Sequence, residues 1–231
     1  MPEVYSIKID RDTLHERLSG GLPKGCVTLI EGSDGSGKSV LSQRFAYGLL
    51  MNGYSVTYIS TELTTKGFLD QMRSLNYEVL NFLISRQLLF IPVYPLIGRP
   101  LPRVDFLDRL MSARELFNSD VIIIDTFSGL AEKEVSVSKV LEAIYFFKKL
   151  AGANKTIVLT ADPSHLSDEV MKHIRSTADV YILLKTSYVE GEVSRAMIIK
   201  RYSFATEFVG NVTGFRVEPQ VGIIVDITMV A

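Results

Sequence analysis

The stretch from Glu31 to Val40, "EGSDGSGKSV", decides how the chain is read. Gly32, Gly37, Lys38 and Ser39 satisfy the pattern G-x-x-x-x-G-K-[ST] in full. Small residues let a backbone wrap a phosphate, and Gly35 and Gly37 are free to take positive φ. The N–H groups from Asp34 through Ser39 then point inward at an anion, and the dipole of the following helix adds to their field. The pattern assigns Ser33, Asp34, Gly35, Ser36, Gly37, Lys38, Ser39 and Val40 to the phosphates of ATP. Lys38 reaches the β- and γ-phosphates, and the Ser39 hydroxyl ligates Mg²⁺. Asp34 brings a negative charge close to phosphate; its other use is to cap the loop backbone.

The surroundings of this loop read as alternating strands and helices. An apolar strand, about Val27 to Glu31, precedes it, and Gly20, Gly21, Pro23 and Gly25 predict a tight turn before that strand. A helix follows from Ser39 to about Met51, with Leu41, Phe45, Leu49 and Leu50 at helical spacing and Asn52-Gly53 as its stop. "YSVTYIS" is a second strand, and "TTKGFLDQMRSLNY" a helix capped by Thr64 or Thr65. "QLLFIPVYPL" is a third strand running into a loop in which Pro92, Pro95, Pro100 and Pro102 exclude regular structure. "VDFLDRLMSARELF" reads as helical.

Val121 to Ile124 form a continuous apolar run, the mark of a strand covered by helices on both faces. Asp125 ends that strand, in the crevice where open α/β sheets bind ligands, and is the second candidate Mg²⁺ position beside Ser39. "VSKVLEAIYFFKKLAG" is an amphipathic helix, "KTIVLTADP" the next buried strand, and a further helix lies near Ser167 to Arg175. The pattern then changes. "ADVYILLKTSY", "EVSRAMIIKRYS", "EFVGNVTGFRVEP" and "GIIVDITMV" read as strands, with Glu190-Gly191 and Pro219-Gln220 as turns. The reading is one α/β domain over residues 1–231, a mostly parallel central sheet flanked by helices and closed by C-terminal antiparallel strands.

Composition fits that reading. The chain has 231 residues, 47% of them hydrophobic and 22% charged, as in a soluble globular domain with a real core. A formal net charge of −1 argues against broad electrostatic attraction to nucleic acid or anionic lipid. The single cysteine, Cys26, lies in an apolar strand pattern and reads as a small core residue. No apolar run approaches the ~18 residues needed to span a bilayer, and "MPEVYSIKID" has no apolar core of a secretory signal. A cytoplasmic protein is expected, with any membrane association made through partners. His165 and His173 have no third ligand at metal spacing, and the aromatic run Tyr145, Phe146 and Phe147 reads as a helix face turned to the core.

"LSGGLPKGCVTLIEGSDGSGKS" resembles the RecA/KaiC-type ATPase core. "SVTYISTELTTKGFLDQMRSLNY" and "LLFIPVYPLI" resemble the FlaH family of accessory proteins of the archaeal flagellum, or archaellum, and the similarity runs over most of the chain. The resemblance implies a RecA/KaiC-like core that binds ATP and Mg²⁺, forms a homo-oligomer, a hexameric ring when ATP is bound, and docks at the cytoplasmic side of the archaellum motor. The partners it implies are the secretion-type motor ATPase and a cytoplasmic scaffold ring protein. In KaiC-type ATPases the second strand ends with two adjacent acids, one of which activates the attacking water. Here Thr61-Glu62-Leu63 offers one acid, so Glu62 is either that base, offset by one residue, or the neighbour of a missing base. A Lys and an Arg after a late strand reach into the neighbouring site in the same family; Lys200 and Arg201 stand there, without the full K-x-R spacing. Two functions follow: an ATP-binding regulator of assembly with weak or no hydrolysis, or a working ATPase with Glu62 as general base. A recombinase filament on DNA is disfavoured by the charge balance.

Overall fold

The computed structural model describes residues 3–93, 106–130, 136–189 and 192–226. In chain order the strands are β1 (Val4–Ser6), β2 (Gly21–Pro23), β3 (Val27–Glu31), β4 (Val56–Ser60), β5 (Leu88–Pro92), β6 (Val121–Asp125), β7 (Thr156–Ala161), β8 (Val180–Val189), β9 (Glu192–Tyr202), β10 (Val212–Glu218) and β11 (Gly222–Asp226). The helices are α1 (Lys38–Met51), α2 (Thr65–Ser74), α3 (Leu80–Ile84), α4 (Phe106–Ser112), α5 (Phe127–Leu130), α6 (Val137–Gly152) and α7 (Asp168–Thr177). Pro95, Pro100, Pro102, the Glu190-Gly191 turn and the chain after Asp226 lie outside the described residues.

Nine strands form one sheet in the order β11-β10-β9-β8-β3-β7-β6-β4-β5. The segment from β8 through β3, β7, β6 and β4 to β5 is parallel, and β8 to β11 pair antiparallel. The α/β reading with a parallel centre and an antiparallel C-terminal flank therefore holds. The physical basis is visible in β6. Val121 and Ile123 pack into the core on one face, with α1 residues such as Phe45, while Ile122 and Ile124 pack with Phe147 of α6 and Ile174 of α7 on the other. A run apolar at every position fills both layers at once.

Local signals set the boundaries. Thr64 caps α2 by accepting from Gly67 N, and Ser136 and Ser167 cap α6 and α7 the same way. The helix expected over residues 104–117 is interrupted at Ala113, where a separate 3₁₀ turn, Arg114–Phe117, begins. The glycine-rich stretch before β3 differs more. Gly21–Pro23 are a strand and not a tight turn, paired antiparallel with Val4–Ser6. Gly21 is needed for packing, since a Cβ there would lie 2.0 Å from the Tyr5 carbonyl oxygen. The N-terminal segment is then locked onto α1. Fully buried Arg44 donates through Nε and Nη2 to the two Asp12 oxygens at 2.6 and 2.7 Å, and through Nη1 to the Ile7 carbonyl at 2.9 Å. Cys26 is fully buried, and burial pushes its thiol up to about 12, so it is an inert core residue.

Candidate nucleotide site

The glycine-rich loop joins the carboxyl end of β3 to α1. Gly37 caps α1 with φ 96°, a conformation that a side chain disfavours. Gly35 also has positive φ, 71°, whereas Gly32 is required for close packing: a Cβ there would lie 2.4 Å from Ser36 Oγ. Asp34 Oδ1 accepts from Gly35 N at 2.8 Å, so this acid caps the loop backbone. Lys38, nearly buried, donates from Nζ to the Ser33 carbonyl at 2.8 Å and stands 3.7 Å from Asp162 Oδ2. The second contact was not foreseen, because Asp162 follows β7, which pairs directly with β3.

Ser39 and Asp125, the two candidate Mg²⁺ positions, are in contact. Ser39 Oγ donates to Asp125 Oδ1 at 3.2 Å, and Thr160 Oγ1 donates to the same oxygen at 2.9 Å. Asp125 is buried. Desolvation raises its carboxyl above the ordinary range, against hydrogen bonds from Thr160, Ser39 and Tyr58, and the charge of Glu62 adds to the rise. A cation at that position would favour the charged form, so the donor set fits a hard, oxygen-ligated ion such as Mg²⁺. Asp162 behaves differently. Desolvation raises it as well, but hydrogen bonds from Ser164 and the charge of Lys38 outweigh that cost and hold it below the usual range.

Glu62 is not in the strand. β4 ends at Ser60, and Glu62 sits on a bend with its N–H on Ser60 Oγ at 3.4 Å. Strand alternation therefore does not decide where it points. It is exposed, and it lines a pocket of about 260 Å³ together with Asp34, Gly35, Gly37, Lys38, Ser39, Val40, Thr126, Arg195 and Val217. Thr61, which precedes it, is buried and ties the bend to the residue after β6 by donating from Oγ1 to the Thr126 carbonyl at 3.3 Å.

Lys200 and Arg201 stand apart from this pocket. Arg201 pairs with Tyr181 and Tyr202 with Val180, and Val180 lies beside Thr28 near the start of β3, whereas the loop leaves from its other end. Arg201 Nη1 donates to the carbonyls of Arg175, Ser176 and Ala178 at 2.9, 3.4 and 2.6 Å, closing the end of α7. Lys200 is exposed. Among the described residues, a cation from outside the loop that does reach it is Arg195, whose Nε donates to the Gly35 carbonyl at 3.2 Å. Nothing local in the sequence marks it; the pairing of β8 with β3 and β9 brings it there.

Comparison with known proteins gives the family and the fold. The family model described as "ATPase: KaiC" matches residues 9–226. The chain is 41% identical to the archaeal flagellar ATP-binding protein FlaH of Methanocaldococcus jannaschii over 229 residues, 99% of this chain and 98% of that one. The crystal structure of the flagellar accessory protein FlaH from that organism superimposes with a TM-score of 0.90 over 98% of this chain and 100% of the other. A KaiC-like protein from Pyrococcus horikoshii, 18% identical, shares the fold with a TM-score of 0.78, covering 98% of this chain and 100% of its own.

Proposed function

Because the chain belongs to the KaiC-type ATPases and, within them, to the archaeal flagellar FlaH family, we propose that it is an ATP-binding regulatory and assembly protein of the archaellum motor. One observation carries the reading: Ser39, which lines the pocket with Lys38, donates to buried Asp125 at the end of β6. ATP binds with its phosphates on the Ser33–Val40 loop and Mg²⁺ between Ser39 and Asp125. The filled site favours a homo-oligomeric ring, a hexamer, in which a neighbour's Lys200 or Arg201 supplies charge across the subunit contact. The ring presents a surface to the secretion-type motor ATPase and a cytoplasmic scaffold ring, at the cytoplasmic side of the motor.

Slow turnover follows from the single acid. Glu62 sits on a bend and is exposed, so nothing in the strand fixes its carboxylate against an attacking water. A second reading, a working ATPase with Glu62 as general base, is favoured by one fact: Glu62 lines the same pocket as Lys38 and Ser39.

Native mass measured with ATP, with ADP and without nucleotide tests the proposal. A larger assembly formed with ATP and lost in Lys38→Ala is the expected result. A mass independent of nucleotide, with ATP binding shown by titration, would sink the assembly role and leave the binding site standing.

A further inference from the structure

The geometry points to Arg195 as a phosphate-binding residue of the same subunit, one that grips the α- and β-phosphates of ATP or ADP and not the γ-phosphate. The inference rests on the reading of the loop as a nucleotide site. Apart from Lys38, Arg195 is the only cationic side chain lining the pocket among the described residues. It lies on β9, directly across from Thr186 of β8 and Phe215 of β10, and directly paired residues share a face of the sheet. That face meets the loop: a Cβ on Gly37 would lie 3.4 Å from the Phe215 ring and 3.6 Å from Arg195 Cδ. The Nε bond to the Gly35 carbonyl uses one of the five guanidinium donors and leaves those of the two terminal nitrogens to serve a phosphate. The Thr186 hydroxyl, opposite Arg195, is buried without a hydrogen-bond partner among the described residues.

Sheet order places Arg195 on one side of the loop. Glu62 follows β4 and Thr126 follows β6, on one side of β3; Arg195 and Val217 come from β9 and β10 on the other side. Asp125, which would hold Mg²⁺ at the β- and γ-oxygens, and the candidate base, Glu62, mark the γ-phosphate side. Arg195 therefore addresses the opposite end of the triphosphate, toward Val40 and the nucleoside. Such a contact is made equally with ATP and ADP, so it tightens ground-state binding without distinguishing the two.

Titration calorimetry with ATP and with ADP on the wild-type protein, Arg195→Gln and Arg195→Lys tests this. Arg195→Gln is expected to weaken both nucleotides by about 10- to 100-fold, the range of a lost charge-assisted hydrogen bond. The ratio of ATP to ADP affinity stays within about twofold of wild type, since the γ-phosphate is not touched. If Arg195→Gln does not fold, as thermal unfolding would show, Arg195→Lys is the variant read. It is expected to lose about fivefold on both nucleotides, because an ammonium cannot hold the Gly35 carbonyl and a phosphate in one plane. Unchanged affinities, or a loss confined to ATP, would overturn the assignment. Failure of the wild-type protein to bind either nucleotide would overturn the nucleotide site itself, and Arg195's role with it.

Discussion

Ser39 donates its hydroxyl hydrogen to Asp125 across 3.2 Å, joining the start of α1 to the end of β6. Asp125 is buried there at a cost: desolvation raises its carboxyl, so the unliganded fold holds this proton more tightly than the unfolded chain does. A group whose folded pKa lies above its unfolded value favours the fold fully below the unfolded pKa and loses that contribution as pH rises through the folded one. Asp125→Asn removes the titration and keeps an oxygen for Ser39 and Thr160. The unliganded variant should therefore melt above the wild type at neutral pH, and the difference should shrink toward acid pH. The same variant should lose Mg²⁺-dependent tightening of ATP binding. Calorimetric melts across pH, paired with titrations with and without Mg²⁺, check both halves.

Asp162 stands beside Lys38, the side chain that the loop motif assigns to phosphate. Its carboxylate stands 3.7 Å from Nζ, and its other oxygen accepts from Ser164 N and Oγ at 2.9 and 2.7 Å. Asp162→Asn keeps an acceptor for Ser164 and removes the charge. ATP affinity should rise about fivefold, the equivalent of roughly 1 kcal/mol for one weakened ion pair. Fluorescence titration with ATP measures it; weaker binding would mean that Asp162 holds Lys38 in place for phosphate.

The loop, β3, β6 and α6 were legible because their signals are local: a spaced motif, an apolar run, an amphipathic helical period. What was hidden depends on pairing between distant segments. Arg195 reaches Gly35 only because β9 pairs with β8 and β8 with β3, across 160 positions. Residues 21–23 carry glycine and proline and are too short for a period of two, so they read as a turn until Val4–Ser6 is found beside them. The adjacent pair Lys200-Arg201 looked like one feature, yet Arg201 closes α7 while Lys200 is solvated. The aromatic run splits similarly, with Phe147 buried and Tyr145 65% exposed.

The pair Arg44–Asp12 fixes the N-terminal segment on the helix that begins at the phosphate loop. Both side chains are removed from solvent, 0% and 3% exposed, so deleting one strands the charge of the other. Asp12→Ala should cost about 3–5 kcal/mol. Lys66→Ala, which breaks the exposed pair with Asp70 on α2, should change stability by less than about 0.5 kcal/mol. Urea unfolding of the two variants separates these cases, and equal effects would contradict the packing argument.

Glu62 decides between a regulator and an enzyme. The charge of Glu62 is the smallest of the causes that raise Asp125, and Glu62→Gln removes it while keeping the shape. ATP binding should be retained in the variant. With a base that is not held in place, wild-type turnover should stay well below the order of 1 s⁻¹ that marks an ordinary enzyme, and the variant should lie within a few-fold of it. A working general base would lose about 10²- to 10⁴-fold on the same substitution. Phosphate release at saturating ATP, measured on the isolated protein, gives the answer directly. A turnover on the order of 1 s⁻¹ that collapses in Glu62→Gln would make this bend a catalytic element and the protein an ATPase in its own right.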